Sequence, residues 1–386
     1  MKGCFNSQII SIGLAIFSML FGAGNLMFPI QVGMISGSQN FWGMIGFVLT
    51  AVLLPVLGLV AMILFDGDYR KFFARLGSGV GRAIVIICML IIGPGIAIPR
   101  IVTLSHTMMA PFLPGMSPLI FALVFLGVTF LCTFKESRIV ELLGRFISPV
   151  LLISLTIIII KGFMVSGQKT DFSPAIWDSF KDSLLIGYQT LDLLGGLYFA
   201  SIILVILKNN FSAEFNKNPK KLATIALKAG CIGVFLLGLV YVGLSYLGVN
   251  HGAGLENVNL GELFREISFR VLGKSGALIV ATAVLMACLS TSIALAAVLA
   301  EFIKEEMNHK IKFVSGLLIA LGASLPLSSY GLGTVLKLAA GPITFVGYPI
   351  LIAITFLNIA YKLFGFKPIK IPTLIVGLAA LAFYIY

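Results

Sequence analysis

Charge is scarce in this sequence, and that scarcity excludes an ordinary soluble domain. Asp, Glu, Lys and Arg make up 11% of the 386 residues, whereas soluble domains carry roughly 25%. Hydrophobic residues make up 59%, and the mean hydropathy is +1.07. These values predict an all-α polytopic membrane protein.

Chemically reactive side chains are also few. The three histidines (His106, His251 and His309) are isolated, and the five cysteines are scattered without metal-ligand spacing. No nucleophile–base pair or phosphate-binding loop is present, so the sequence does not predict an enzyme. A channel would need a continuous polar lining or a repeated filter motif, and neither is visible.

Apolar runs of about 17 or more residues mark the candidate membrane spans. No cleavage pattern follows the first run, which we therefore expect to be a span and not a signal peptide. Gly341-Pro342 interrupts a long run, which we predict to be one bent span because splitting it would place three lysines outside. The eleven predicted spans are 8–29, 41–65, 83–110, 118–134, 146–163, 184–207, 222–248, 276–303, 313–328, 331–361 and 371–386.

The net charge of +12 could indicate nucleic-acid binding, but the basic residues lie in short loops between the spans. With the N-terminus inside, the cytoplasmic loops together with Lys2 and Lys228 hold 19 of the 27 basic residues, as the positive-inside rule requires. We therefore expect a lipid bilayer as partner, no nucleic acid, and a cytoplasmic N-terminus. The cytoplasmic loops are 66–82, 135–145, 208–221, 304–312 and 362–370.

The first span contains the sequence FGAGNLMFP, residues 21–29, which is poorly suited to a continuous helix. Gly22 and Gly24 are weak helix formers, Asn25 is polar, and Pro29 has no backbone donor. In lipid, a broken helix survives only where protein, a cavity or a ligand satisfies its free polar groups. The alternative is that the glycines only allow close helix packing. The added asparagine and proline favour a true break, at which the two glycines let the backbone unwind.

Spans one to five (8–163) and six to ten (184–361) form two sets of five, with 371–386 as an extra span of a single domain, 1–386. An odd number of spans per set inverts the second set in the membrane, which is the topology of an inverted repeat. Span six opens the second set, and it is interrupted by Thr190, Asp192 and the pair Gly195-Gly196. An intramembrane carboxylate is costly and usually functional.

Four segments carry a resemblance to the branched-chain amino acid:cation symporter family (the BrnQ, or LIVCS, carriers). They are FGAGNLMFP in span one, IGPGIAIPR in span three, GYQTLD in span six and ACLSTSIALAAVLAEF in span eight. Ile30 stands where the family often has a second proline, and the family usually has twelve spans. More distantly, the chain resembles the LeuT-type fold, a bundle of five-plus-five inverted repeats in which helices 1 and 6 are discontinuous.

The resemblance implies a membrane transport domain that works as a secondary active symporter. It would take up leucine, isoleucine and valine with sodium by alternating access, in a bacterial cytoplasmic (inner) membrane. The coupling ion would be the only cofactor. A proton-coupled carrier, or a carrier of another small apolar amino acid, stays open as the alternative.

The resemblance also implies a substrate site between the two breaks. Free amides at the start of the half-helix after Gly22 would hold the carboxylate, and carbonyls near Phe21 and around Thr190 would accept from the ammonium group. The expected substrate-binding residues are Phe21, Gly22, Ala23, Gly24, Asn25, Thr190, Leu191, Asp192, Leu194, Ser292 and Leu295.

For sodium, the resemblance implies two carbonyls from span one and three oxygens from span eight. The expected ligands are Ser18, Phe21, Ala287, Ser290 and Thr291. The last three fall at positions i, i+3 and i+4 on one helix face. The alternative is that the two hydroxyls bond only to carbonyls of their own helix.

Asp192 of the substrate set and two further charged residues, Arg100 and Lys337, lie inside the predicted spans. Asp192 could accept the substrate ammonium, pair with Arg100, or carry a proton. About 27 Å of helix rise separates Arg100 from the start of its span near Ala83. We therefore expect Arg100 to lie at the outer interface and to extend its charge into the polar headgroup region. Lys337 is also expected near the outer end of its span.

Overall fold

The computed structural model describes residues 2–134, 148–210 and 219–385, and these are helical with short connections. The predicted loop 135–145 and most of the loop 208–221 lie outside the described residues. The helices, numbered α1 to α17 in chain order, are Lys2–Leu20, Ala23–Ser36, Asn40–Val48, Leu54–Ile63, Tyr69–Ala74, Ser78–Leu90, Ala97–Met109, Pro118–Thr133, Ser148–Met164, Ile176–Tyr188, Asp192–Asn210, Pro219–His251, Leu260–Glu306, Phe313–Ser328, Leu332–Ala339, Tyr348–Phe364 and Lys370–Ile385.

Many of these helices are long and apolar enough to cross a membrane. Within the described ranges, five continuous stretches meet that requirement, and the bent pair α10 and α11 would make a sixth. Five shorter apolar helices accompany them: Gln8–Leu20, Pro118–Thr133, Pro149–Met164, Phe313–Ser328 and Lys370–Ile385. The chain is thus a multi-pass membrane protein. These stretches cover the same parts of the chain as the eleven predicted spans.

The boundaries differ at span eight, where α13 begins at Leu260 and not at residue 276, and at span six, where α10 begins at Ile176 and not near residue 184. Asp178, Lys181 and Asp182 lie in the added turns and are exposed. Hydropathy excluded these turns because of their charges, although an exposed helix face tolerates them. Residues 332–364 form one continuous stretch, with a π-helical turn at Ile343–Gly347.

The backbone leaves the helix at two places deep in the protein. The first helix ends at Leu20 and α2 begins at Ala23, with Gly22 extended at φ −108° and ψ −164°. Helix α10 ends at Tyr188 and α11 begins at Asp192, with a bend of 41° between them. Leu191 lies in the second interruption at φ 64°, which costs a residue with a Cβ atom about 1–2 kcal/mol. Some other interaction must therefore hold the chain there.

A third irregularity lies in the long stretch that includes α6 and α7. A π-helical turn spans Ile91–Gly95, and Gly93 within it has non-helical torsion angles. Pro94 explains the disruption, because it lacks a donor and its ring clashes with the preceding turn. This kink was not predicted.

Packing brings these irregular segments together. Helix α12 packs on α1 and α2, α11 on α4, and α13 on α7, while α1 and α11 contact each other. The region between the two interruptions is thereby enclosed by α7, α12 and α13.

Candidate functional site

A small cavity lies where the two interruptions meet. Its volume is about 30 Å³, enough for about two water molecules and far below the roughly 300 Å³ at which ligand pockets begin. Eight of the expected residues line it: Gly22, Ala23, Asn25, Thr190, Leu191, Asp192, Thr291 and Leu295.

Four other expected substrate residues do not line the cavity. Ser292 faces α8, where its hydroxyl lies 3.2 Å from the hydroxyl of Thr129. The reason is helix geometry, since Thr291 and Leu295 share one face and Ser292 is rotated by about 100° from it. Phe21 stacks on Phe17 at 5.2 Å between ring centroids, and Gly24 and Leu194 are buried outside the lining.

Gly24 also differs from expectation in its backbone. It lies inside α2 in a helical conformation, and the unwound residues are Phe21 and Gly22. A Cβ atom at Gly24 would lie 3.1 Å from the ring of Phe28 and 3.3 Å from the Cα atom of Thr190. The absence of a side chain thus lets the second interruption approach α2 closely.

Asn25 joins the two interruptions through its side chain. Its Nδ2 donates to Oδ2 of Asp192 at 2.6 Å and to the hydroxyl of Tyr241 on α12. Its Oδ1 accepts from the backbone amide of Gly22 at 3.3 Å. These bonds use both donors and the oxygen of the side-chain amide, so Asn25 links the two interruptions to each other and to α12.

The expectation that Arg100 lies at the outer interface is wrong. Its side chain is 5% exposed, and its Nη1 and Nη2 donate to the carbonyls of Gln189 and Thr190, each at 2.7 Å. The predicted depth assumed a straight helix, whereas the π-helical turn at Ile91–Gly95 interrupts it. The free carbonyls at the end of α10 supply acceptors that a continuous helix would not offer.

The charges at the second interruption match the dipoles of the two half-helices. The Arg100 cation lies at the C-terminal end of α10, and Asp192 is the first residue of α11. Cations are favoured at helix C-termini and anions at N-termini. Tyr348 adds a further contact, because its hydroxyl accepts from the amide of Leu193 at 2.8 Å.

The five oxygens expected to hold sodium lie next to one another. The hydroxyl of Ser290 lies 3.1 Å from the carbonyl oxygen of Ser18 and 2.7 Å from that of Ala287, within hydrogen-bonding distance of both. The hydroxyl of Thr291 lies 3.2 Å from the carbonyl of Phe21 and 3.3 Å from that of Ala287. Bonds to the helix's own carbonyl and bonds to span one therefore coexist. Such a set of unwound carbonyls and hydroxyls fits a hard cation.

A comparison with protein families identifies the chain. The family described as branched-chain amino acid transport protein matches residues 5–384. The chain belongs to this family.

Individual relatives agree with that assignment. The branched-chain amino acid permeases BraB and BrnQ of Bacillus subtilis are each 30% identical over 375 residues. These alignments cover 92% and 94% of this chain and 80% and 83% of the two permeases. The branched-chain amino acid transport system 2 carrier protein of Pseudomonas aeruginosa is 28% identical, covering 96% of this chain and 85% of that protein. The relatives are transport permeases, and this family member is a transporter and not an enzyme.

A solved structure shows the fold. Mhp1, a nucleobase-cation-symport-1 family transporter in a closed conformation with bromovinylhydantoin bound, superposes with a TM-score of 0.59. The match covers 97% of this chain and 92% of that one at 16% identity. The LeuT-like helical architecture is thereby shown.

Several residues around the cavity of this branched-chain transport protein were not predicted. Three of them (Ile92, Ala97 and Arg100) belong to the quoted segment IGPGIAIPR, whose Gly-Pro-Gly sequence signals a further break in a span. Gly195 belongs to the pair Gly195-Gly196, which signalled the interruption of span six but was not expected in the site. For the others, apolar residues in apolar spans, the sequence carries no signal. They are Met19, Leu20, Ile101 and Phe199.

Proposed function

We propose that this chain is a secondary active symporter that takes up leucine, isoleucine and valine together with sodium. It would work by alternating access in a bacterial cytoplasmic membrane, with its N-terminus inside. The proposal rests on the contact of Ser290 and Thr291 with the carbonyls of Ser18 and Phe21. Oxygens of this kind suit a hard cation, and Thr291 also lines the cavity. The relatives' names support the substrate class.

The proposed architecture is a five-plus-five inverted repeat with discontinuous helices 1 and 6. Residues 8–163 would form the first repeat, 184–361 the second, and 371–386 the eleventh span. Two observations support it: the interruptions open the two sets, and α1 and α11 touch. Inverted repeats place their sites at such discontinuous helices.

The cavity supports binding of a zwitterion with an apolar side chain. The amides of Ala23 and Gly24 begin α2, where a carboxylate is favoured by the free donors and by the helix dipole. Asp192 can accept from the ammonium group, since Asn25 occupies only one of its oxygens. Ile101, Phe199 and Leu295 provide apolar walls for a branched side chain.

The volume of about 30 Å³ implies movement during transport. Leucine has nine non-hydrogen atoms, whereas the cavity holds about two water molecules, so the walls must separate to admit it. Movement of the half-helices about the two interruptions would enlarge the site, and it would open one side at a time.

One observation favours a second candidate, coupling to protons. Asp192 is 8% exposed and lines the cavity, and buried intramembrane carboxylates serve as proton relays in transporters. In that case a pH gradient, and not a sodium gradient, would drive leucine uptake.

Uptake of radiolabelled leucine into proteoliposomes separates these candidates. We expect accumulation with an inward sodium gradient and little stimulation by a pH gradient alone, with protein-free liposomes as control. Stimulation by the pH gradient alone would select the proton-coupled carrier. Absence of uptake of any branched-chain amino acid under both gradients would refute the proposed function.

A further inference from the structure

Arg100 lines the cavity, and one of its donors is left unused by its structural contacts. We propose that Nε of Arg100 binds the carboxylate of the transported amino acid, while Nη1 and Nη2 hold the second interruption in place. This inference rests on the proposed function, because it needs an amino acid as substrate.

One donor of the Arg100 guanidinium group has no hydrogen-bond partner among the described residues. Nη1 and Nη2 donate to the carbonyls of Gln189 and Thr190, but Nε is buried without a hydrogen-bond partner in the described part of the chain. An unsatisfied donor on a buried cation is costly, so a site that retains one is suited to an anionic acceptor. A carboxylate supplies such an acceptor and forms the stronger, charge-assisted kind of hydrogen bond.

Arg100 lies at the same cavity as the start of α2. It lines the same cavity as Gly22 and Ala23, which lead into the N-terminus of α2. A carboxylate at that N-terminus therefore has backbone amides and the guanidinium group at one small cavity. The ring of Phe28, fully buried, lies 6.0 Å from Cζ of Arg100 and supports the cation from another side.

Asp192 makes the N-terminus of α11 unsuitable for the substrate carboxylate. It is the first residue of α11 and occupies the positive end of that half-helix. A second carboxylate there would meet a like charge. The substrate is thus oriented with its ammonium group toward Asp192 and its carboxylate toward α2 and Arg100.

The test compares leucine with 3-methylbutylamine, which is leucine without its carboxylate. Binding of both is measured by isothermal titration calorimetry on the purified full chain, for wild type and Arg100→Gln. We expect the affinity for leucine to fall about 10- to 100-fold, the effect of one charge-assisted hydrogen bond. The affinity for the amine should stay the same or rise, because a nearby cation has been removed.

Arg270→Gln is the matched control. Nη1 of Arg270 donates to the carbonyls of His251 and Ala253 at 3.0 and 2.7 Å, where α12 ends, so it has the same chemistry away from the cavity. This variant should leave both affinities unchanged. If Arg100→Gln does not fold, Arg100→Lys serves instead, because lysine keeps the charge but cannot hold two carbonyls and also present a donor at the Nε position. The leucine-to-amine ratio should then fall about tenfold.

Equal losses for leucine and the amine would overturn the inference, since Arg100 would then only stabilise the interruption. An unchanged leucine affinity would overturn it as well. Failure of the wild-type protein to bind leucine would instead refute the proposed function. The two failures are therefore distinguishable.

Discussion

Thr291 belongs both to the expected sodium ligands and to the lining of the cavity. Its hydroxyl lies 3.2 Å from the carbonyl of Phe21, and its side chain lines the cavity. A Cβ atom added to Gly22 would lie 3.3 Å from Thr291, so the unwound segment packs directly on this residue. A cation bound by Thr291 and Phe21 would thus order the backbone that precedes the amides proposed to bind the carboxylate.

The double variant Ser290→Ala, Thr291→Ala should fold but lose sodium-stimulated leucine uptake. Each lost oxygen in a dry site should cost about 1–3 kcal/mol of cation binding. Thr282→Ala is the control, because Thr282 lies on the same helix, is exposed, and bonds only to the carbonyl of Leu278 at 2.9 Å. Uptake is measured in proteoliposomes with and without sodium. Sodium dependence that persists in the double variant would contradict the assignment.

Gly24→Val should abolish leucine binding in protein that remains folded. The added side chain would meet the ring of Phe28 and the backbone of Thr190, and would separate α2 from the second interruption. The expected loss is about 3 kcal/mol, because the carboxylate would lose charge-assisted donors. Leucine affinity per folded molecule is measured alongside the melting temperature.

Gly238→Val is the control for that variant, because nothing lies within 4 Å of a Cβ atom at Gly238. It should leave leucine affinity unchanged. If Gly24→Val lowers the melting temperature but binds leucine normally, Gly24 only serves helix packing.

At the scale of elements, the short helix α5 ties the loop after α4 to the end of α13. The hydroxyl of Tyr69 donates to Glu305 at 2.7 Å, and Arg70 lies 3.4 Å from Glu305 and 3.5 Å from Glu306. Arg82 of α6 also pairs with Glu306. Burial, together with the neighbouring Glu305, raises the pKa of Tyr69 well above its ordinary value, so the hydroxyl keeps its proton at neutral pH.

Glu306→Gln should lower the free energy of unfolding by about 1 kcal/mol at low ionic strength, because it removes the partner of Arg70 and Arg82. The difference should vanish in 1 M KCl, where the Debye length is only about 3 Å. Thermal unfolding is measured at both salt concentrations, with potassium used to avoid sodium binding. A difference that is independent of salt would mean that packing, not charge, explains the effect.

Asp182→Asn is the matched control for Glu306→Gln, since it removes an acidic charge that has no ion pair in the described part of the chain. Asp182 is exposed on α10 and has no ion pair within 4 Å among the residues that the structure describes. Its replacement should leave stability nearly unchanged at both salt concentrations.

At the scale of the whole molecule, the distribution of basic residues predicts which side faces the cytoplasm. Ser38 and Asn257 lie in segments predicted to be outside, and Ser78 lies in a segment predicted to be inside. All three are exposed, so each can report on the side that it faces.

Single cysteines at Ser38 and Asn257, in a variant without the five native cysteines, should react with a membrane-impermeant maleimide added to intact cells. A cysteine at Ser78 should react only after the cells are opened, because positively charged loops are retained in the cytoplasm. Labelling of position 78 in intact cells would reverse the proposed orientation. Equal labelling of all three in opened cells is the control.

Much of the site could be predicted because its residues are unusual in a membrane span. Asn25, Asp192 and the hydroxyls of Ser290 and Thr291 are polar groups in apolar runs, which makes them visible without a structure. Ser292 does not line the cavity, because a polar residue one position away from a lining residue faces another direction. Tyr348 and Phe199 could not be predicted, since aromatic residues are ordinary in such spans.

The sequence by itself determined which segments are helices and where two of them are interrupted. Hydropathy, glycine, proline and isolated charges act locally, so their effects can be read along the chain. The tertiary structure alone decided which distant groups meet, such as Asn25 with Asp192, 167 positions apart, and Arg100 with the end of α10. The depth of Arg100 depends on a kink in its own helix and on acceptors that another helix leaves free. Contacts of this kind follow from packing in three dimensions, and no period of the sequence encodes them.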